Sequence, residues 1–238
     1  KLRALAGGAD RMVFDAVHFK IESVRSGGRA LAHEYDDKKL TVRFPKPFAA
    51  GAVVTVDIAY RVTKPKLGLY FIGPDRGYPR KPVQVWTQGE DEYARYWFPC
   101  HDSPQDRVTT EMLVRVPRGF TAVSNGRLVK KQARGTQTLF HWKQDIPHAT
   151  YLVTLAVGQF AEIKDRWRRV PVNYYVTPGR EDDARRAFGK TPKMMEFFSS
   201  KIGVAYAYPK YAQVAALDFI YGGMENNSGT TQQGTILT

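Results

Sequence analysis

The sequence predicts a mostly β protein, a sheet-rich sandwich or saddle that gives way late to a shorter mixed segment. Three observations carry this. Apolar and polar residues alternate in many short runs, turn signals separate the runs, and convincing helical spacing appears only after residue 180.

Val17, Phe19 and Ile21 alternate with polar partners, as do Leu40, Val42 and Phe44, and then Val54, Val56, Ile58 and Tyr60. Gly27-Gly28, Asp36-Asp37 and the stretch from Pro45 to Gly51 supply the turns. Lys64 to Pro82 carries four prolines and three glycines and reads as a long connection. Met112, Val114 and Val116 resume the alternation. Asn125-Gly126, between Phe120–Ser124 and Arg127–Lys131, is expected to close a hairpin through a type I′ turn. Thr138, Phe140 and Trp142 give another strand, and Tyr151 to Phe160 a longer, more apolar one.

Glu162 to Arg169 is charged and is expected to be a linker or an edge loop. Val170, Val172, Tyr174 and Val176 alternate as a strand that Pro178-Gly179 ends. Ala184, Phe188, Met194 or Met195, Phe198 and Ile202 then recur at helical spacing over Glu181 to Ile202. Thr191-Pro192 interrupts this run, giving a kinked helix or two helices, with Thr191 as cap and Pro192 first in the second. The Met and Phe stripe is expected to be core packing. Gly203 closes the helix, and Tyr211 to Phe219 reads as a buried strand. The change of pattern divides the chain into 1–165 and 166–238.

At 238 residues there is room for a sizeable core in one or two domains. The net charge of +13 raises nucleic acid as a partner. Lys and Arg are scattered singly among Asp and Glu, however, with no basic run of five, so the expected reading is a solvated basic exterior and no nucleic acid. Cys100 is the only cysteine, which excludes an intrachain disulfide and a Cys-based metal site. Beside His101 it is read as a buried structural thiol, because neighbouring strand positions face opposite ways. Apolar runs are far shorter than the roughly 20 residues of a membrane span. No signal-peptide pattern opens the chain, which begins with Lys1 and leaves room for an upstream segment, so no compartment is assigned.

One stretch carries chemistry: Asp218-Phe219-Ile220-Tyr221-Gly222-Gly223-Met224-Glu225-Asn226. Its Gly pair has no side chain to keep a second backbone away. The carboxylate of Glu225, just beyond, suits a cationic group on whatever docks.

Three segments, in order, resemble the aminopeptidase N-like zinc metallopeptidases, a family that includes leukotriene A4 hydrolase. Gly222-Gly223-Met224-Glu225-Asn226 matches the G-x-M-E-N exopeptidase motif. Thr87-Gln88-Gly89-Glu90, followed by Arg95, Phe98-Pro99-Cys100, Asp102 and Pro104, is similar to its T-Q-x-E…R…F-P-C-x-D-x-P block. Pro147 to Val153, continuing to Gly158-Gln159-Phe160, is similar to the strand that ends its N-terminal domain. The resemblance implies a saddle-like β-sandwich domain followed by the start of an α+β thermolysin-like catalytic domain. It also implies that Glu225 and Glu90 hold the substrate α-amine and that Gln88 hydrogen-bonds the first substrate residue. Gly222 and Gly223 would pair with the peptide as an added strand, and Met224 and Asn226 would shape the pocket. Arg95, Phe98, Pro99, Cys100, Asp102 and Pro104 are expected to hold the β framework. After Asn226 the chain departs from commoner members, carrying Asn227-Ser228-Gly229 where they continue with Trp-Gly.

An α-amino group has a pKa near 8 and is mostly cationic at neutral pH. Two fixed carboxylates therefore favour a free N-terminus over an internal peptide bond. The expected partners are peptides with a free N-terminus. In this family zinc is held by H-E-x-x-H and a later glutamate. The histidines here are His18, His33, His101, His141 and His148, and no two are separated by three residues as in H-E-x-x-H, so no zinc is expected in this chain and zinc belongs to the full-length enzyme. The chain is thus expected to be the N-terminal part of a longer aminopeptidase, inactive alone. The alternatives are a non-catalytic scaffold of the same fold, or an epoxide hydrolase like the leukotriene enzyme.

Overall fold

In the computed structural model, which describes residues 1–238, the alternating runs become short strands. The first are β1 (Leu2–Arg3), β2 (Arg11–Asp15), β3 (Phe19–Ser26), β4 (Arg29–Ala30), β5 (His33–Tyr35), β6 (Lys39–Arg43), β7 (Val53–Val54) and β8 (Asp57–Val62). Sheet β2-β6-β5 packs on sheet β4-β3-β8 through Phe14, Phe19, Val24, Leu40 and Val42. Phe19, Leu40 and Val42 are inward members of the alternating runs, so period two put them on one face.

The chain continues as β9 (Leu69–Ile72), β10 (Gln84–Thr87), β11 (Arg107–Pro117), β12 (Thr121–Ser124), β13 (Arg127–Arg134), β14 (Gln137–Ala149) and β15 (Leu155–Gly158). Sheet β12-β15-β10-β9 packs against sheet β11-β14-β13 through Val116, Ala122, Phe140, Trp142 and Val157. The Pro- and Gly-rich connection from Lys64 to Pro82 therefore contains a strand, β9, that pairs with β10.

The last region holds β16 (Ala161–Trp167), β17 (Val170–Val176), helices α1 (Glu181–Phe188) and α2 (Thr191–Ile202), β18 (Tyr211–Ala216), β19 (Gly223–Met224) and β20 (Thr230–Gln233). Its sheet runs β16-β17-β18-β20-β19, with β17, β18 and β20 parallel. A predominantly β region followed by an α+β region is the fold class expected from the sequence.

Four local expectations fail for identifiable reasons. Asn125-Gly126 closes no hairpin: β12 pairs with β15 and β13 with β14, in different sheets. Instead the buried Asn125 amide donates to Leu152 O at 2.9 Å and accepts from Thr154 N at 2.8 Å. Gly126 is at φ +75°, and a Cβ there would lie 1.9 Å from Lys143 O. A long-range junction, not a local turn, uses these residues.

Glu162 to Arg169 is no linker, since Ala161 to Trp167 form strand β16, paired antiparallel with β17. Its period of two is masked by charge. Glu162, Lys164 and Arg166 point outward, while Ala161, Ile163 and Trp167 pack on the core.

The helical run is two helices, and Thr191 opens α2 rather than capping it. Its hydroxyl donates to Phe188 O at 2.6 Å and accepts from Gln213 Nε2 at 2.8 Å. The stripe on α2 is not core either. Only Met195 packs inward; Phe198 is 56% and Ile202 69% exposed. The helix meets the sheet through Glu196, which accepts from Trp167 Nε1 at 2.7 Å and pairs with Arg168, leaving the Phe198 side over an open groove of about 400 Å³.

The expected framework residues converge on Asp102, whose side chain is buried. It accepts from the Arg95 amide at 3.0 Å, Arg95 Nε at 3.1 Å and the Thr150 hydroxyl at 2.8 Å. The Asp102 amide donates to Asp15 Oδ2 at 3.0 Å, and Asp15 also accepts from Lys39 Nζ at 2.9 Å. Burial raises the Asp15 pKa, but the Lys39 and Asp102 hydrogen bonds and the Arg95 charge outweigh it, so its carboxyl titrates below the usual range. Cys100 is buried and free, and burial pushes its thiol up, away from thiolate chemistry.

Candidate functional site

Strand β10 is the platform on which the site stands. Gln84 and Trp86 alternate toward the last region, and both bind the peptide groups of Leu217. Gln84 Oε1 accepts from Leu217 N at 2.9 Å, and Trp86 Nε1 donates to Leu217 O at 3.0 Å. The Trp86 ring stacks on Tyr70 with centroids 4.3 Å apart and meets Phe219 edge-on at 4.9 Å. Ala216, Phe219 and Met224 complete this apolar cluster.

The strand expected to reach Phe219 therefore stops at Ala216. Leu217 leaves the sheet to meet β10, and Asp218 turns the chain at φ +54°. Asp218 is held there by Lys81 Nζ at 2.8 Å.

After that turn Gly223–Met224 form β19, the edge strand, paired antiparallel with β20 at Gly223↔Gln232 and Met224↔Thr231. Gly222 and Gly223 are exposed, so the unpaired side of β19 is open to an added strand. A Cβ on Gly223 would lie 2.6 Å from Gln232 Oε1, the end of a flexible side chain that can swing aside. The next amino acids do different jobs. Met224 is buried, Glu225 is exposed, and Asn226 is buried with both amide atoms unpartnered.

Thr87-Gln88-Gly89-Glu90 arrives from the other side. Thr87 Oγ1 accepts from Leu155 N at 2.9 Å, and Gln88 N donates to Gly68 O at 3.0 Å. Gly89 passes so close to Tyr151 that a Cβ would lie 2.6 Å from its carbonyl oxygen. Gln88 is buried, and its Nε2 lies 3.6 Å from Met224 Sδ, while its Oε1 has no partner. The two segments picked out in the sequence, 136 positions apart, are thus in contact. Glu90 follows Gln88 by two residues and Glu225 follows Met224 by one, so each Cα lies within about 4–8 Å of the Cα of a residue that makes the contact. Both carboxylates are exposed.

A neighbouring joint was not anticipated. Asn125 Nδ2 donates to Asn227 O at 2.8 Å, and Gly126 N donates to Ser228 Oγ at 2.7 Å. Lys210 is buried against it, with Nζ 2.8 Å from Ser228 O and 5.1 Å from the Trp142 ring centroid. Asn227-Ser228, where the chain leaves the commoner motif, is therefore the part that docks on the β region. The Asn125-Gly126 dipeptide signalled an unusual backbone, but nothing local in the sequence named its distant partner.

No carboxylate pairs with Lys210, and burial lowers its pKa to about 7 from 10.5. Between those values the unfolded chain holds a proton that the folded chain has released, so stability rises with pH across the window. Lys210→Met is expected to flatten this rise, by on the order of 5 kcal/mol. Urea-unfolding midpoints of the two proteins, compared across that pH range, check it. Parallel curves would contradict the assignment.

No group of three or more His, Cys, Asp or Glu side chains is placed to hold a metal ion. The donor set for zinc is not met by these residues.

The chain matches two family models, the peptidase M1 N-terminal domain over residues 6–152 and the peptidase family M1 domain over residues 186–238. It is 27% identical over 229 residues to a leucyl aminopeptidase of Saccharolobus solfataricus, covering 96% of this chain and 28% of that protein. Tricorn protease-interacting factor F2 of Thermoplasma acidophilum is 26% identical over 223 residues, with 93% and 27% covered. Glutamyl aminopeptidase of Rattus norvegicus is 32% identical over 157 residues, with 63% and 16% covered. The chain spans about 28% of the length of the first of these relatives.

Proposed function

The chain belongs to peptidase family M1, and from that membership we propose that it is the α-amine recognition part of a zinc-dependent aminopeptidase that removes N-terminal residues from peptides. The observation that carries the proposal is the Gln88–Met224 contact, which brings the Glu90 segment of the β region to the Glu225 segment at the open edge strand.

In this reading a peptide lies along β19 as a further strand, its backbone close to Gly222 and Gly223. Its α-ammonium sits between Glu90 and Glu225, where charge-assisted hydrogen bonds to two carboxylates hold it in register. The unpartnered Gln88 Oε1 accepts from the first residue. Zinc supplies hydrolytic chemistry when bound elsewhere in the longer enzyme; the residues here fix which peptide bond is presented.

The test is a pair of substrates on the zinc-loaded parent enzyme, an aminoacyl anilide and its N-acetylated form. The free amine is expected to be cleaved at least about 100-fold faster in kcat/KM, as loss of a charge-assisted contact to both carboxylates requires. Comparable rates on both would overturn the amine clamp. Turnover of neither, in an enzyme that lacks stoichiometric zinc, would favour a scaffold. The 238-residue chain alone is expected to bind no zinc and hydrolyse neither anilide.

A further inference from the structure

The outer face of sheet β11-β14-β13 gathers cations that the sequence scatters. Residues directly opposite one another in an antiparallel ladder share a face. The register gives four outward rows: Glu111–Lys143–Arg127, Leu113–His141–Lys130, Arg115–Leu139–Gln132 and Pro117–Gln137–Arg134. The inward rows take Trp142 and Phe140 into the core.

The face carries five Lys or Arg against two carboxylates, both already engaged. Glu111 is 2.6 Å from His141 Nε2, and Asp145 is shared by Lys143 at 3.1 Å and Arg127 at 3.3 Å. Arg115, Lys130 and Arg134 have no acidic partner. Residues 107–145 as a whole hold eight Lys and Arg and two acidic residues, so they supply +6 of the chain's +13.

Aliphatic side chains lie among these cations. Leu113 is 62% exposed in the second row, and Val129, at the register shift in β13, is 46% exposed. No Phe, Tyr or Trp belongs to any outward row, and the one imidazole there, His141, is tied to Glu111. Charged edge strands guard against unwanted pairing, but that role does not call for bare Leu and Val beside the charges. Nucleic-acid faces pair cations with aromatic stacking platforms, which this one lacks. Aliphatics ringed by long cationic stems suit the boundary between acyl chains and anionic headgroups, where the stems snorkel.

We propose that this sheet face docks peripherally on an anionic phospholipid surface. The contact is separate from the Gln88–Met224 site and does not depend on the peptidase reading. It involves no spanning segment, in keeping with the absence of any helix long and apolar enough to cross a membrane.

Vesicle flotation of the 238-residue chain tests this, with phosphatidylglycerol–phosphatidylcholine vesicles against phosphatidylcholine alone, at low and high salt. Binding is expected only to the anionic vesicles, with release at high salt. The variant Arg115→Glu/Lys130→Glu/Arg134→Glu is expected to lower the partition coefficient at least about 100-fold, roughly fivefold per cation lost. The variant Lys20→Glu/Lys46→Glu/Lys66→Glu, with the same net charge but altered on exposed positions elsewhere, is expected to bind within about threefold of the unaltered chain. Circular dichroism of both variants confirms their fold. Failure to float, equal loss in both variants, or no loss in the first would overturn the proposal. So would tighter binding of a DNA oligonucleotide that the face variant alone abolishes.

Discussion

In the zinc-loaded parent enzyme, Glu225→Gln is expected to lower kcat/KM for free-amine substrates by about 10- to 100-fold. The exchange keeps the shape and replaces an ionised acceptor by a neutral amide. A hydrogen bond to a charged group contributes about 1.5–3 kcal/mol, and each 1.36 kcal/mol is a factor of ten in rate. The effect falls mainly on KM if the ammonium is held equally in ground and transition states, and on kcat if the clamp tightens as the bond breaks. N-acetylated substrate has no ammonium to lose, so its slow turnover is expected to stay unchanged. Glu90→Gln should act in the same direction. Because both carboxylates meet one ammonium, the double variant is expected to be non-additive. Unchanged selectivity between free and acetylated substrates in Glu225→Gln would remove this residue from the clamp.

Trp86→Ala is expected to destabilise the chain by about 3–5 kcal/mol, a large part of the stability of a typical domain. The ring is buried between Tyr70 and Phe219, and its loss leaves a cavity as well as an unpaired Leu217 carbonyl. Trp86→Phe keeps most of the packing and loses the hydrogen bond, with an expected cost of about 1–2 kcal/mol. Urea unfolding measures both. Hydrogen exchange adds a local readout, since amides from Leu217 to Met224 should lose protection in Trp86→Ala more than those of β11 and β14. Uniform loss throughout the chain would mean that Trp86 is ordinary core and not the joint under the edge strand.

Much of the fold was legible because its signals are local. Alternation placed Phe19, Leu40, Val42, Phe140 and Trp142 inward, and the late helical period located the helical run while leaving open whether it was one kinked helix or two. What sequence could not show was partner choice. Asn125-Gly126 has the chemistry of a hairpin, yet β12 and β13 pair with strands further along the chain, and the dipeptide binds Asn227 and Ser228, 102 positions away. Strand β16 was hidden because its outward positions are all charged, so Ile163 and Trp167 stood out too little. The apolar side of α2 misled in the opposite direction: helical spacing reports which residues share a face, not whether anything covers it. For the site, the motifs picked out two segments, Gln88 with Glu90 and Gly222 to Asn226, and Gln88 meets Met224 between them. They did not reveal Lys210, whose burial depends on Trp142 and Ser228.

The engagement of Leu217 by Gln84 and Trp86 also has a meaning in time. A nascent chain emerges at about 5–20 residues per second, so the 133 positions separating Gln84 from Leu217 take roughly 7–27 s to follow. Sheet β12-β15-β10-β9 has all its strands once Gly158 has emerged. Until Phe219 and Met224 have emerged, the Trp86 indole lacks the two side chains that cover it in the folded chain. The edge strand is assembled last, on a platform that has been ready and uncovered since β15 was made.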